Sequence, residues 1–367
     1  MSGTAALADP RGTGYGAGPN PAELLPGPLP TPRGSLSDYL NTVLRRPPHP
    51  LSHPPAPDDD ALFGEDASLA LYCLYELHYR GFRQVSDGWE WEPSLLGVRR
   101  DLEDAFAARL RQEIAAGQDG RSGPPGPAGP AGADGAGIGA ALWELVEAPG
   151  GPSLSRYLAE RGTLEQFREF AIHRSLLQLK EADPHTWALP RLTGAAKAAL
   201  VQIQADEYGD GIERAMHQTL FGLTLRGLGL DPSYGAYLDR VPATTIATVN
   251  LPSYLGLHRA HRAALVGHLA VFEMTSVGPM SAYSAALRRH GLPAPARLFF
   301  DAHVVADAHH QTLAADALAG GLIRAEPHLA DDLLFGARAA ITLEDQAARE
   351  IHAAWAAGRS SLHPPAV

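Results

Sequence analysis

Seven side chains in this sequence are of a type and spacing that could bind metal. Three of them lie in RLFFDAHVVADAHHQTLAADAL, residues 297–318, where His303, Asp307 and His310 stand at i, i+4 and i+7. On a helix turning about 100° per residue these three share one face. No Pro or Gly interrupts the chain between Leu298 and Leu318, so one helix is expected there. The other four break helical patterns elsewhere. Glu181 closes LEQFREFAIHRSLLQLKE, Glu207 follows Asp206 at the end of AAKAALVQIQADE, His217 sits beside Met216 in GIERAMHQTLFGLTL, and Glu273 lies in LVGHLAVFEMTSVGP. A carboxylate between Phe272 and Met274 is costly to bury unless something binds it. Taken singly, a helix-end acid is often solvated and a lone apolar-face histidine is usually a hydrogen-bonded core residue. Together, four carboxylates and three imidazoles without a thiolate suit iron or manganese, and seven donors suit two metals better than one.

The elements that must position these donors are helical. Glu207 and His217 are ten residues apart, about 15 Å on a straight helix, too far to share a metal. The intervening YGDG at 208–211 offers two glycines for a break that returns the second helix alongside the first. Glu213, four residues before His217, is the competing local partner. Helical spacing is expected over 140–148, 153–161, 164–182, 193–207, 211–227, 253–275, 279–290, 296–319 and 327–357, separated by Gly, Pro and Asp. No run alternates with period two and β-branched enrichment, which disfavours a sheet. Residues 1–60 are rich in Pro, Gly, Ser and Ala and are expected to be a largely disordered or loosely docked leader, with SLSDYLNTVLRR as a short docked helix. A helical domain is expected over 65–357, interrupted by a flexible insert at 117–139 whose collagen-like triplets are too few for a triple helix.

Composition narrows the function classes. With 30 Lys+Arg against 41 Asp+Glu the net charge is −11, which disfavours nucleic acid as a partner. One cysteine, Cys73, excludes an intramolecular disulfide and any cysteine-clustered metal site, and it suits a reducing, cytoplasmic setting. The sequence shows neither a signal-like start nor a long charge-free apolar run, so no membrane association is expected.

The order Glu181, then Glu207 with His217, then Glu273 in FEMTS, then HVVADAHH resembles the haem-oxygenase-like diiron oxidases, also called iron-containing redox enzymes. The resemblance extends from about Leu69 to Trp355 and includes LYCLYELHYRGF and WEWEP near its start. It implies an all-α, haem-oxygenase-like seven-helix bundle, here with an extra N-terminal segment. It also implies that Glu181, Glu207, His217, Glu273, His303, Asp307 and His310 hold two Fe(II) ions, with dioxygen as co-substrate and room for an external electron source. Combined with helix geometry, it suggests that Glu181, His217 and Glu273 hold one iron, and His303, Asp307 and His310 the other, with Glu207 between. A true haem oxygenase is disfavoured, since His78 is the only early candidate for a proximal ligand and lacks a haem-facing frame.

The implied activity is dioxygen-dependent oxidation of a small carboxylate- or amine-bearing metabolite by C–H cleavage, oxidative decarboxylation or N-oxygenation. The alternatives are a fatty-acid decarboxylase of the same family or a non-catalytic helical metal-binding or interaction protein. Phe272, Met274, Val304 and Leu220 are expected to line the substrate space, with Tyr208, Tyr254, Thr275 and Arg259 or Arg262 as polar handles. His185 and Trp187 are candidates for its entrance, and His309 for the helix surface. The expected partner is a small-molecule substrate, with a carrier or peptide and a homodimer left open.

Overall fold

The computed structural model describes residues 20–119 and 135–365, and within them all regular structure is helical. In chain order the helices are α1 (Ser35–Leu44), α2 (Glu65–Glu76), α3 (Pro93–Asp119), α4 (Gly135–Glu147), α5 (Leu154–Glu160), α6 (Leu164–Gln178), α7 (Asp183–Thr186), α8 (Gly194–Glu207) and α9 (His217–Gly227). They continue as α10 (Ala243–Leu257), α11 (Arg262–Thr275), α12 (Val277–Arg289), α13 (Leu298–Thr312), α14 (Gly320–Ala325) and α15 (Ala330–Ala356). The all-α expectation therefore holds, and no strand occurs among the described residues.

The local causes are legible. Thr163 caps α6 through a reciprocal capping box with Gln166, satisfying two backbone N–H groups that the first turn leaves unpaired. Pro93 opens α3, where its missing N–H costs nothing. The YGDG break is present: Gly209, Asp210 and Gly211 have φ of 59°, 53° and 77°, a region that favours glycine. A Cβ on Gly209 would lie 2.5 Å from the carbonyl carbon of Ala215, so glycine is also required sterically where α8 turns back towards α9.

Three elements differ from expectation. Helix α10, ATTIATVNLPSYLGL, begins ten residues before the expected start at 253 and contains Pro252. Its threonines, isoleucine, valine and internal proline are all poor helix signals, but 14 of its residues are buried, and tertiary packing outweighs propensity. The single helix expected over 296–319 is instead α13 followed by a π-helical segment, Leu313–Ala319, packed against α4, α8 and α11. Its wider turns shift the register of the face beyond His310. Glu181 lies in a turn beyond the end of α6, next to Ala182 at φ 71°.

Of the expected leader, residues 1–19 lie outside the described residues; within 20–60 the expected short docked helix is present as α1, while most of 45–60 is exposed. Leu36, Leu40 and Leu44 of α1 are fully buried, and the Asp66 carboxylate of α2 accepts from the Leu36 and Ser37 backbone N–H groups at 2.8 Å, capping α1 from another helix. The core of the expected insert, 120–134, lies outside the described residues; α3 runs to Asp119 and α4 begins at Gly135.

The central contact is α11 against α15. A Cβ on Gly267 would fall 1.9 Å from the Leu333 carbonyl oxygen, and one on Gly336 would fall 1.9 Å from that of Ala264, so the two backbones touch through paired glycines. This approach fixes the axis of α11, which carries Glu273 inward. Gly267→Ala and Gly336→Ala should each destabilise the protein by about 1–3 kcal/mol or more, as overpacking of a tight contact does. Gly97→Ala, where an added Cβ meets nothing within 4 Å, should be neutral or stabilising by up to ~1 kcal/mol. Urea denaturation of the three variants checks the ordering.

Candidate metal centre

All seven expected donors converge at one level of the bundle. They form two groups, Glu181, Glu207, His217 and His303, and Glu207, Glu273, Asp307 and His310, with the donor atoms of each group within 4.8 Å of one another. Each group could hold one metal ion, and Glu207 belongs to both. Glu181 is partly buried and the other six are buried. The expected partition needs one correction: His303 lies with Glu181 and His217, and Glu273 lies with Asp307 and His310. His303 and His310 share a helix face but are separated by about 10.5 Å of axial rise. The stripe on α13 therefore reaches one group from its second turn and the other from its third and fourth.

The imidazoles are individually oriented. His303 Nδ1 lies 2.8 Å from the Phe299 carbonyl oxygen, to which it donates, leaving Nε2 towards Glu181 Oε1 at 3.6 Å. The His303 ring packs between those of Phe299 and His217, with centroids 4.3 and 4.2 Å away. His310 points Nδ1 at Glu273 Oε2, 3.1 Å away, and Nε2 at Asp206 Oδ2, 2.7 Å away. Ser276, between α11 and α12, donates to Asp307 Oδ2 at 2.5 Å. Beside Glu181, buried Lys180 pairs with Glu76 at 3.1 Å beneath the rings of Tyr72 and Tyr79, locking the turn that presents Glu181. Such outer contacts fix first-layer geometry.

Within the two donor groups, four buried atoms have no hydrogen-bond partner: Glu181 Oε2, Glu207 Oε2, His217 Nδ1 and Asp307 Oδ1. Glu207 Oε2 and His217 Nδ1 approach to 2.8 Å without hydrogen-bond alignment. An unpaired buried polar atom costs about 1–3 kcal/mol, and a cation in each group would satisfy all four. The donor set thus fits a pair of metal ions.

Electrostatics agree. Burial raises Glu181, and pushes Glu207 up to about 7 and Glu273 to about 8. Burial also depresses His217, to about 3, aided by the neighbouring His303. For His303 burial acts in the same direction, but the Glu181 charge outweighs it and raises the imidazole to about 10. Burial is likewise overcome at His310 by the adjacent Asp307 and Glu273 carboxylates, which raise it to about 11. Asp307 is lowered despite burial, by His310 and His303.

Several secondary expectations fail. Glu213 is exposed in a turn and outside both groups, which settles the competition for His217 in favour of Glu207. Arg259 is exposed, and Arg262 is paired with Glu326, so neither lines the site. Tyr254 packs against Phe106 and His261 instead. The expectation for His309 holds: it is exposed on the helix surface and bonded to Gln202.

A small cavity of about 70 Å³ touches Glu181, Glu207, Glu273, His303 and Asp307. A second, of about 340 Å³, adjoins it, and Arg174, Gln178, Phe272, Ser276 and Met280 line both. Of the expected apolar wall, Phe272 lines both cavities, whereas Met274, Val304 and Leu220 are absent from both linings; Thr275 lines the larger cavity and His185 the smaller. Sequence reasoning missed Arg174 and Gln178. Yet Arg174, Gln178 and Glu181 stand at i, i+4 and i+7, the spacing that exposed the α13 stripe.

Residues 168–345, which contain all seven donors, match the iron-containing redox enzyme family, and the all-helical body is consistent with its haem-oxygenase-like fold. The chain is also 26% identical over 147 residues to a nitrosourea synthase of Streptomyces achromogenes subsp. streptozoticus. That alignment covers 40% of this chain and 31% of the relative, so the chain spans about a third of the relative's length. The resemblance read from the donor order is thus borne out over this segment.

Metal binding should be coupled to proton release. Glu207, Glu273, His303 and His310 are all raised to about 7 or above without metal, and each must lose its proton to act as a ligand. Affinity should therefore rise with pH between 6 and 9, by about tenfold per unit for each proton displaced. Zn(II) titration of metal-free protein in weak buffer near pH 7 should acidify the solution; pH-independent binding would contradict the assignment.

Proposed function

We propose that this chain, whose residues 168–345 belong to the iron-containing redox enzyme family, is a non-haem diiron oxidoreductase that uses dioxygen. Its substrate in this reading is a small carboxylate- or amine-bearing metabolite. The observation that carries the reading is the pair of buried four-donor groups sharing Glu207. Two ferrous ions, when bound, would supply the electrons that activate dioxygen for attack on a C–H or N–H bond.

The chain's own side chains do the rest. Glu207 would join the two ions, with Glu181, His217 and His303 on one side and Glu273, Asp307 and His310 on the other. The Phe299 carbonyl and Asp206 hold the rings of His303 and His310. Leu269, Phe272 and Met280 make the wall of the small cavity apolar and limit water beside the donors. The larger cavity gives a substrate space within reach of the donors, as a mostly apolar pocket with a few polar groups does. Likeness to a nitrosourea synthase keeps oxidation at nitrogen beside C–H cleavage and decarboxylation as reactions to test. The buried, lone Cys73 accords with a cytoplasmic setting.

Anaerobic ferrous loading followed by metal analysis should approach two irons per chain. His217→Ala should retain about one, and Glu207→Ala fewer than one, because the shared carboxylate serves both ions. His310→Ala should abolish oxygen uptake by the ferrous protein while leaving its far-ultraviolet circular dichroism nearly unchanged. A wild-type plateau at one iron, or a ferrous protein inert to oxygen with amines, amino acids and fatty acids alike, would overturn the reading.

A further inference from the structure

The two oxygens of Asp307 are used differently. Oδ1 is buried and has no hydrogen-bond partner. It lies 3.5 Å from His310 Nδ1, the nitrogen that also faces Glu273 Oε2 at 3.1 Å, so Oδ1 looks into the donor group. Oδ2 accepts the Ser276 hydroxyl at 2.5 Å, a separation typical of an O–H group donating to an ionised carboxylate.

A serine hydroxyl has one proton to give. The other acceptor near it, the Glu273 carbonyl oxygen, is 3.4 Å away, so the proton goes to Asp307. The backbone sets this direction. Ser276 is the junction residue of α11 and α12, helical itself at φ −81° and ψ −36°, and the helical stretches on either side of it bend by 51°. Its carbonyl starts α12 by accepting the Met280 N–H at 2.8 Å. The side chain thus spans from the bend to α13. Glu181, in the other group, has no such tether among the described residues. Its Oε2 is buried without a partner, and its Oε1 faces His303 Nε2 at 3.6 Å.

A carboxylate can bind a cation through one oxygen or through both. With one, the group of Glu207, Glu273, Asp307 and His310 offers its ion four donor atoms, one from each residue. With both, Asp307 would add a fifth and fill a position that an outside ligand could take, and catalytic metal sites keep such a position open. For Oδ2 to reach the ion, its bond to Ser276 must break and leave a part-buried hydroxyl without that partner. Ser276 and Asp307 both line the small cavity, and Ser276 also lines the larger one, so the tether stands beside the space proposed for substrate.

We propose that Ser276 is a positioning residue that restricts Asp307 to one-oxygen binding and so keeps a ligand position open on the ion of the Glu207, Glu273, Asp307 and His310 group. This rests on the proposed two-metal reading and deepens it, making the two ions unequal: the one beside Asp307 takes the incoming small ligand.

The cobalt(II)-loaded full chain tests this without oxygen or turnover. Crystal structures of wild type and Ser276→Ala read the Asp307 carboxylate directly, and azide titration followed by visible absorption reads the open position in solution. Wild type should hold two cobalt ions, with Asp307 Oδ1 on one of them and Oδ2 still on Ser276. Ser276→Ala should keep both ions, bind one through both Asp307 oxygens, and lose azide affinity by about 10–100-fold, the range for removing a contact behind a metal ligand. Ser276→Thr, which keeps the hydroxyl, should retain the wild-type azide affinity. Both Asp307 oxygens on cobalt in wild type would overturn the proposal. So would one-oxygen binding and unchanged azide affinity in Ser276→Ala, or loss of a cobalt ion from that variant, which would make the hydroxyl a general support of the site. Wild-type protein that holds fewer than two cobalt ions would overturn the two-metal reading and this proposal with it.

Discussion

Four carboxylates share the core of this bundle, and that fact governs the rest of the structure. Glu181, Glu207, Glu273 and Asp307 lie in two donor groups that meet at Glu207. Charges this close in a region of low dielectric are tolerable only when protons or cations neutralise them. Without metal, burial and the neighbouring charges raise the proton affinity of Glu207, Glu273, His303 and His310. Two divalent ions would balance the four negative charges and also occupy the unpaired atoms of Glu181, Glu207, His217 and Asp307. In this account, stability is given up locally so that a metal pair can be bound.

The scaffold shows how such a layer is held. Glu273 arrives on a helix pressed against α15 through Gly267 and Gly336. Glu207 and His217 come from two helices joined by a break that only a left-handed, Cβ-free residue can make at Gly209. Glu181 is presented by a turn tied down through Lys180 and Glu76. Rigid backbone contacts carry the donors, and only the cavity side of the layer is left open to a ligand, an arrangement that favours preorganisation.

Much of this was legible in the residues. The seven donors stand out because an acid or imidazole inside an apolar helix needs a partner, and YGDG announces its break through glycine. The grouping was not legible from a helical-wheel projection, which reports angle and discards the axial rise that separates His303 from His310. Helix α10 was hidden because its β-branched residues and Pro252 speak against a helix, and only burial on all sides stabilises it. The π-helical turns after α13 have no composition of their own. Arg174 and Gln178 did carry a signal, the same i, i+4, i+7 spacing to Glu181. A polar residue on a helix ordinarily reads as surface, and only the cavity reveals that this face is inside.

The central claim is that Glu207 joins two metal ions. Anomalous scattering from crystals of the iron-loaded protein, collected on both sides of the iron absorption edge, measures this directly. The account predicts two iron peaks roughly 3.5–4 Å apart, as in two-metal sites, with the Glu207 carboxylate between them, His217 and His303 beside one and His310 beside the other. A single peak in fully loaded crystals, or two peaks with Glu207 turned away from both, would contradict it.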